Sequence, residues 1–411
     1  MFVRRTAAVL AATTVIGAAL APAALAAGSS PSPSTAVPSG LYGTADPTYD
    51  GVWRQSLALL AQHTVGVRPA PKAVDWLTGQ QCANGAFAAY RADASAACDA
   101  TTQTDTNSTA AAVQALAALG GHDDATGRAV AWLKSAQNKD GGWGYMAGGP
   151  SDTNSTSVVI GALAAAGTNP RSVAKDGASP YDALLKLAMP CKGKDGGAFA
   201  YQPDKKGALA ANADATAAGV VGSLGKGLAP AAGESHDPAP CATPDSPGPR
   251  DAAANGAAYL ATALAKTPYL KSALAGAEDQ PDYGNTADAV VALAADGAAE
   301  DAQKPLAWLE KNAAGWAAKS GPAAYAQLIF AAHSTGTDPR DFGGQDLVAR
   351  LNATGPAPSA AGASATPDET KDDEKKDDGD GLGVWWIVGV GLVAGIGVGF
   401  LISGRNKNRQ P

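Results

Sequence analysis

Residues 125–167 read ATGRAVAWLKSAQNKDGGWGYMAGGPSDTNSTSVVIGALAAAG, and this stretch decides the fold. It predicts two helices joined by a turn, because the apolar spacing around Trp132 stops at the glycine-rich segment that begins with Gly141. The polar run at residues 151–156 supplies side-chain acceptors that begin a second, alanine-rich helix. One such hairpin cannot bury its apolar faces alone, so the pattern predicts a stack of several units.

The same plan recurs along the chain. Residues 105–109 repeat residues 152–156 letter for letter, and the third copy is assigned a cap at Asn212 and the fourth a cap at residues 285–288. The fifth copy has no acidic cap, and an amphipathic segment at residues 52–62 precedes them all as one further candidate helix. The five copies lie at residues 72–119, 125–167, 181–224, 251–297 and 305–336. No segment alternates like a strand, so we predict an all-α fold of about five helical hairpins.

The turn has a spacing found in a known family. Residues 137–143 (Q-x3-G-x-W) and 81–87 (Q-x3-G-x-F) resemble the core of the repeat in squalene and hopene cyclases. The layout of helix pairs also resembles the wider prenyltransferase/squalene-oxidase (cyclase) repeat superfamily, and in kind it is most similar to the intrinsic factor/transcobalamin group. The resemblance covers roughly residues 50–336 and implies an α/α toroid. The superfamily contains cyclases, transferases and vitamin carriers, so this fold does not by itself fix an activity.

The N-terminal end of the chain is not globular in composition. Residues 1–26 are typical of a signal peptide, with Arg4 and Arg5 before an apolar core and an A-x-A cleavage site at its end. Residues 27–48 form a Pro/Ser-rich leader that we predict to be disordered. The toroid domain is assigned to residues 49–352.

The C-terminal end predicts a membrane anchor. Residues 353–382 form a linker, first Ala/Pro-rich and then acidic, with the composition of a disordered segment. Residues 383–403 are apolar and long enough to cross a bilayer as one transmembrane helix. The basic tail at residues 404–411 then belongs in the cytoplasm, which places the N-terminal domain outside the cell membrane.

Cysteines and charge limit the chemistry. Pairing within each repeat, Cys82–Cys98 and Cys191–Cys241, is the simplest of the three connectivities that four cysteines allow. The formal net charge of −7 argues against a nucleic-acid partner. The repeats contain no Asp-x-Asp-Asp acid, no zinc-ligand spacing and no thioester motif, so we predict neither a catalytic residue nor a metal site nor a cofactor.

A ligand-binding surface is the remaining prediction. In an α/α toroid the inner helices begin at one end, so their polar caps and the aromatic turns gather around a central cavity. Helix capping alone also accounts for the polar runs. The candidate ligand-binding residues are Asp105, Asn107, Trp143, Tyr145, Asp152, Asn154, Tyr201, Asp214 and Asp288.

The resemblance suggests a ligand but leaves the function open. Similarity to the intrinsic factor/transcobalamin group implies cobalamin or another corrinoid, captured outside the cell and passed to a membrane transporter. This chain lacks the β-rich second domain that closes over the ligand in those carriers. Two alternatives are a non-catalytic module that binds other envelope proteins and a terpene-cyclase-like enzyme.

Overall fold

The computed structural model describes residues 37–237, 239–273 and 276–360, and about half of these residues are helical. The helices in these ranges are α1 (Gly51–Thr64), α2 (Pro71–Gly79), α3 (Thr106–Leu119), α4 (Asp123–Ser135), α5 (Thr153–Ala165), α6 (Pro180–Leu187), α7 (Ala213–Ser223), α8 (Pro249–Lys266), α9 (Tyr283–Asp296), α10 (Ala299–Asn312), α11 (Ala314–Ser320), α12 (Pro322–Thr335) and α13 (Leu347–Asn352). Within the described ranges no helix is long and apolar enough to span a bilayer. The predicted signal peptide, transmembrane helix and basic tail lie outside these ranges.

Six of these helices form a closed inner ring. Helices α1, α3, α5, α7 and α9 each pack against the next in that order, and α12 packs against both α9 and α1. Outer helices cover the joints: α4 contacts α3 and α5, α8 contacts α7 and α9, and α10 contacts α9 and α12. The all-α prediction is confirmed. The ring has one inner helix more than the five predicted hairpins supply, because the segment at residues 52–62 is the inner helix α1.

Burial differs between the two layers, and composition explains why. Every residue of α3 from Thr106 to Leu116 is buried, because an inner helix meets neighbours on both flanks and the outer layer behind. Its small side chains allow that close packing. The outer helix α4 buries only Thr126, Ala129, Val130 and Leu133, which is the single apolar stripe of an amphipathic surface helix.

The glutamine and glycine of the turn join each unit to the next. Gln137 Nε2 donates to the carbonyl oxygens of Gly141 at 2.8 Å and Val173 at 3.3 Å, and Gln81 makes the equivalent pair of bonds. Gly141 has a φ of +94°, and a Cβ at this position would lie 2.2 Å from the carbonyl oxygen of Ser179. Only glycine tolerates both the backbone conformation and this approach.

The first turn of an inner helix can hold the turn that precedes it in the same unit, as α5 shows. Asp152 begins α5 by accepting a hydrogen bond from the Ser155 N–H at 2.6 Å. The Trp143 N–H donates to Thr156 Oγ1 at 3.1 Å, and the Asp152 N–H donates to the Trp143 carbonyl oxygen at 2.9 Å. The backbone N–H to threonine bond recurs in three other units, at Phe87–Thr109, Phe199–Thr216 and Leu270–Thr286.

The inner helix of the fourth unit, α9, has its capping residue three positions earlier than predicted. The side chain of Asp282 accepts from the Asn285 N–H at 3.0 Å, so Asp282 caps α9 as Asp152 caps α5. The predicted cap at residues 285–288 is therefore wrong, because those letters imitate the third cap but lie inside the helix. A two-stranded hairpin, β1 (Leu270–Lys271) with β2 (Pro281–Asp282), takes the place of the glycine turn here.

Both flanks of the predicted toroid domain pack onto the ring. Tyr42 is fully buried, its N–H donates to Gln55 Oε1 at 2.9 Å and its hydroxyl donates to the Pro356 carbonyl oxygen at 3.0 Å. The Ser359 N–H donates to the carbonyl oxygen of Arg68, in the turn after α1, at 3.0 Å. Residues 37–48 and 353–359 thus belong to the packed domain rather than to a disordered leader and linker. The Pro/Ser-rich composition of the N-terminal flank gives no sign of this packing, because the packing depends on one aromatic residue, Tyr42.

Both predicted disulfides are present, Cys82–Cys98 and Cys191–Cys241. The first closes the excursion between α2 and α3. The second ties the long segment between α7 and α8 back to the segment after α6.

Candidate functional site

A cavity of about 200 Å³ lies in the centre of the ring, within the first three turns of the inner helices. Counted from the residue before each helix, the second position of α3, α5, α7, α9 and α12 lines it, and so do the sixth and ninth positions of α7, α9 and α12, which is the spacing of one helix face. Helix α1 adds Trp53 and Leu57. The residues at the counted positions are Asn107 and Gln114 on α3, Asn154 and Val158 on α5, Asp214, Ala218 and Val221 on α7, Gly284, Asp288 and Val291 on α9, and Ala323, Gln327 and Phe330 on α12.

The C-terminal side of the cavity is bounded by the segment that follows α7. Residues 226–228 line the cavity, and the Leu228 N–H donates to Gln114 Oε1 at 2.8 Å. Lys226 Nζ donates to the carbonyl oxygen of Ala295, in the last turn of α9, at 2.8 Å. This floor segment (residues 226–228) crosses from α7 toward the end of α9. The cavity therefore lies at the N-terminal end of the inner helices.

Two carboxyl groups from neighbouring inner helices line the cavity. Asp214 Oδ2 accepts from Asn154 Nδ2 at 2.7 Å, and Gln327 Nε2 lies 3.2 and 3.4 Å from the two oxygens of Asp288. Burial raises the pKa of Asp214 to about 6. Burial and then the charge of Asp214 raise the pKa of Asp288 to about 8. Both carboxyl groups therefore hold a proton more readily than an exposed aspartate does, and Asp288 more readily than Asp214.

These carboxyl groups have no cationic partner. The ion pairs in the described part of the chain join other residues. Lys226 lines the same cavity, but its ammonium group donates a hydrogen bond to the Ala295 carbonyl oxygen. Burial lowers the pKa of Lys226, and the negative charge of Asp296 acts in the opposite direction. A third acid, Asp282, also lines the cavity, and burial raises its pKa. The site is therefore anionic when Asp214 is ionised.

Three buried polar atoms among the lining residues lack a hydrogen-bond partner within the described chain. They are Asn107 Oδ1, Asn154 Oδ1 and Ser157 Oγ. Asn107 and Asn154 are only 4% and 6% exposed. The amide of Asn154 is oriented by its bond to Asp214, so the nitrogen faces the carboxylate and the oxygen is the acceptor left over. Buried polar groups are almost always paired, so these three atoms leave unsatisfied hydrogen-bonding capacity in the wall of the cavity.

Aromatic rings line one side of the cavity. Trp316 stacks on Tyr283 with ring centroids 5.6 Å apart, and Tyr283 stacks on Trp308 at 5.0 Å. Of these stacked rings, only Trp316 lines the cavity. Trp53 of α1 also lines it, and all four rings are half-buried. The site thus combines hydrogen-bond acceptors with apolar ring faces.

Four of the nine candidate residues line the cavity: Asn107, Asn154, Asp214 and Asp288. The other five hold the ring together. Asp105 and Asp152 cap α3 and α5, and burial raises the pKa of each to about 6.

The three aromatic candidates lie away from the cavity. Trp143 is fully buried and its Nε1 donates to the Leu133 carbonyl oxygen at 2.7 Å. The carbonyl oxygens of Tyr145 and Tyr201 accept from the first backbone N–H groups of α3 and α5. The Tyr201 hydroxyl also forms a hydrogen bond with the carboxyl group of Asp152. Burial is the main reason that the pKa of Tyr201 is raised.

Sequence reasoning missed Trp53, Asp282, Trp316, Gln327 and Phe330. Counting two, six and nine positions from each cap would have found Gln327 and Phe330, because Gly321 precedes α12. Nothing local in the sequence distinguishes Trp53 and Trp316 from core tryptophans. No group of three or more His, Cys, Asp or Glu side chains suited to a metal ion occurs in the described residues.

Comparison with known proteins adds little. No family model matches the sequence, and no curated protein matches it. One similar solved structure is a protein from Actinoplanes, 15% identical, with a TM-score of 0.47, covering 74% of this chain and 96% of that chain. Another is ent-copalyl diphosphate synthase from Streptomyces platensis, also 15% identical with a TM-score of 0.47, covering 70% of this chain and 50% of that chain. Likeness at this level does not bear on what the present chain binds.

Proposed function

We propose that this protein binds a small molecule in the central cavity of its helical ring. The observation that carries the proposal is the set of buried polar groups in the wall of the cavity: among the described residues, Asp214 has no cationic partner, and Asn107 Oδ1 and Asn154 Oδ1 have no hydrogen-bond partner. A purely structural ring would gain stability from apolar side chains at these positions, because a buried acceptor without a partner costs about 1–3 kcal/mol. A site that keeps such groups is better explained by a ligand that satisfies them.

The proposed location is outside the cell membrane, on the predicted C-terminal anchor. Two disulfides within the ring domain support an oxidising compartment. The signal peptide and the basic tail of the sequence support the same orientation. In this proposal the protein acts as a receptor or carrier for a ligand that it meets outside the cell.

Cavity size limits the ligand. The volume of about 200 Å³ lies below the roughly 300–1,000 Å³ of pockets for drug-sized molecules, which favours a small ligand or one end of a larger one. Cobalamin, the ligand that the sequence resemblance implies, would insert only a peripheral group and leave its macrocycle at the mouth. A corrinoid bound in this way is the alternative ligand. In that case we propose that the protein passes it to a membrane transporter.

A second candidate function has one observation in its favour. Asp288 is a protonated carboxylic acid beside Val291 and Phe330, and a cyclase protonates a double bond with such a group. The amide oxygens of Asn107 and Asn154 argue against this reading, because they would intercept a carbocation. The terpene-cyclase-like enzyme therefore ranks behind the binding protein, and a module for envelope proteins, which needs no cavity, ranks third.

The test uses the full chain in lipid nanodiscs and measures the shift in unfolding temperature across a panel of amines, alcohols, sugars and cobalamin. A ligand at one hundred times its Kd should stabilise the wild type by about 2.7 kcal/mol. The variant Asn107→Leu should lose this stabilisation, whereas Asp75→Asn, on the exposed face of α2, should keep it.

Two results would overturn the proposal. One is a panel in which no compound stabilises the wild type, which would favour the envelope-protein module. The other is conversion of a polyprenyl substrate that Asp288→Asn abolishes, which would favour the enzyme.

A further inference from the structure

We propose that a pH-sensitive latch holds the floor of the cavity, with the imidazolium of His236 bound to the C-terminal end of α9. The floor segment is the first part of a longer strap, which we define as residues 226–237. The strap runs from the end of α7 across the ring to the end of α9. The proposal concerns how the floor is held, so it goes beyond the proposed function and does not depend on which ligand binds.

Hydrogen bonds rather than apolar side chains hold the strap. Among residues 226–237 only Pro230 is buried, and residues 234–237 are exposed. Three carbonyl oxygens at the end of α9 accept hydrogen bonds from the strap, at 2.8, 2.8 and 3.3 Å: Ala294 from the Gly233 N–H, Ala295 from Lys226 Nζ and Gly297 from the His236 N–H. The last carbonyl oxygens of a helix lack partners within the helix and favour cations, so this end of α9 suits both kinds of donor.

Close backbone contacts fix the position of the strap at both of its ends. A Cβ at Gly297 would collide with the carbonyl oxygen of Glu234, and a Cβ at Gly161 of α5 would lie 2.7 Å from the Cα atom of Gly227. The strap is therefore seated on the ring by its backbone, with few buried side chains to hold it. The loss of one polar contact then removes a large part of what holds it.

Both ring nitrogens of His236 face carbonyl oxygens, which can only accept a hydrogen bond. Nδ1 lies 3.0 Å from the carbonyl oxygen of Asp237, and Nε2 lies 3.1 Å from the carbonyl oxygen of Asp296. Oδ2 of Asp296 is also 3.1 Å from Nε2. A neutral imidazole has one N–H, so one of its nitrogens would direct a lone pair at an oxygen, whereas the imidazolium donates on both sides. The latched position therefore selects the charged form.

The charges around the latch support this assignment. Hydrogen bonds from the ring to Asp237 and to Asp296 raise the pKa of His236. Burial raises the pKa of Asp296, and the charges of His236 and Lys226 oppose that shift. Glu234 and Asp237 are exposed acids of the strap itself. On the cavity side of the floor the titratable groups are Asp214, Asp282 and Asp288.

The latch should weaken as the pH rises. The folded chain holds the proton of His236 more tightly than the unfolded chain does, because the pKa is raised in the folded state. Its contribution is therefore complete below about pH 6.5, the ordinary pKa of histidine, and is lost as the pH rises through the folded value. The floor of the cavity belongs to the same strap, so it should lose part of its support over that range.

The test measures hydrogen–deuterium exchange of the full chain in lipid nanodiscs without ligand, as protection relative to the intrinsic exchange rate at each pH. The reporters are the Gly233 N–H at the latch and the Leu228 N–H at the floor. At pH 6 both should be about fivefold more protected in the wild type than in His236→Gln, the effect of a cation at a helix C-terminus. At pH 8.5 the two proteins should be similar. The cavity acids are present in both proteins, so the comparison isolates His236.

Two further variants sharpen the comparison, and circular dichroism shows whether each variant folds. His63→Gln, an exposed histidine in the last turn of α1, is the control and should match the wild type. Asp296→Asn should lose only part of the pH dependence, because both carbonyl acceptors of the His236 ring remain.

Two results would overturn the proposal. One is equal protection of the wild type and His236→Gln at pH 6. The other is a difference at Gly233 with none at Leu228, which would show that the latch does not hold the floor. No ligand enters the experiment, so neither result bears on the proposed function.

Discussion

The inner ring has a regular half and an irregular half. In the regular half (α3, α5 and α7) an Asp or Asn side chain caps each helix, a threonine four residues later accepts a backbone N–H, and a glycine turn precedes them. In the irregular half (α9, α12 and α1) the glycine turn is absent, and only α9 keeps the side-chain cap. Both halves nevertheless pack into one closed ring.

The two halves differ in which of their residues line the cavity. In the regular half nearly every patterned residue serves a helix end, and the cavity is lined from the second position after each cap and from positions further along, such as Gln114 and Val158. In the irregular half, Asp288 and Gln327 occupy the sixth position, where the regular half has Val158 and Ala218, and Trp316 lies outside the repeat pattern. Departures from a local rule are expected at functional sites, and here they supply the titrating acid and the aromatic side of the site.

The largest effect should follow from breaking the regular turn. We expect Gly141→Ala to destabilise the fold by about 4 kcal/mol, because it combines an unfavourable positive φ with a Cβ that meets the Ser179 carbonyl oxygen. Gly148→Ala is the control: it also has a positive φ but no atom within 4 Å, and it should cost about 1 kcal/mol. Urea unfolding measures both, and equal losses would show that the contact between units does not matter.

The dependence of stability on pH should differ between the halves. The pKa of Asp288 is about 8 in the folded state, which is above its value in the unfolded chain. At pH values between the two, the folded state therefore binds more protons than the unfolded state does. The contribution of Asp288 to stability is full at low pH and is lost as the pH rises toward 8. Between pH 6 and pH 8 the wild type should lose about 2 kcal/mol more than Asp288→Asn.

Asp152 provides the comparison for that measurement. Its folded pKa is about 6, so its contribution should be lost mainly below pH 6, and Asp152→Asn should parallel the wild type from pH 6 to pH 8. Asparagine remains a good cap, which keeps the helix start intact. Urea unfolding midpoints at half-unit pH steps provide the data, and parallel curves for wild type and Asp288→Asn would contradict the assignment.

A threonine-to-valine pair tests what the halves share. Thr156→Val and Thr286→Val each leave a buried backbone N–H without its acceptor, at Trp143 and at Leu270. Both should cost about 2 kcal/mol by thermal or urea unfolding, although only the first lies in the regular half. A loss at Thr156 alone would mean that the fourth unit is held by packing rather than by this bond.

The smallest effect concerns the outer layer. Gly127 lies on the exposed side of α4, and a Cβ there would meet no atom within 4 Å. Gly127→Ala should raise the free energy of unfolding by about 0.5–1 kcal/mol, because alanine restricts the unfolded chain. Gly315→Ala, near the start of the short helix α11, should gain less in the same measurement. A loss at Gly127 would contradict its assignment to a helix interior.

The sequence predicted what local rules control. Caps such as Asp152, the turn glycines and both disulfides follow from short-range patterns, and so does the alternation of inner and outer helices. The polar cap runs, gathered at one end of a toroid, also placed Asn107, Asn154 and Asp214 among the candidate site residues.

What the sequence did not predict depends on contacts between distant segments. The start of α9 was assigned three residues late, because Leu270 reaches Thr286 through a hairpin that has no glycine signature. The floor segment is held by α3 and α9, and Tyr42 by α1 and by Pro356 at the other end of the domain, so their own neighbours in sequence carry no sign of burial. The same holds for Trp316, whose place at the cavity depends on ring closure.

The contact between Ser359 and Arg68 shows at which end of the inner helices the described chain stops, relative to the cavity. It places the last described residues beside the turn after α1, at the C-terminal end of the inner helices. The cavity lies at the opposite end, in the first turns of those helices. If the membrane anchor follows as the sequence predicts, the tether leaves from the side away from the cavity. A ligand would then arrive from the surrounding medium rather than from the lipid, and a delivery step to a transporter in the same membrane would require the whole domain to turn over on its linker.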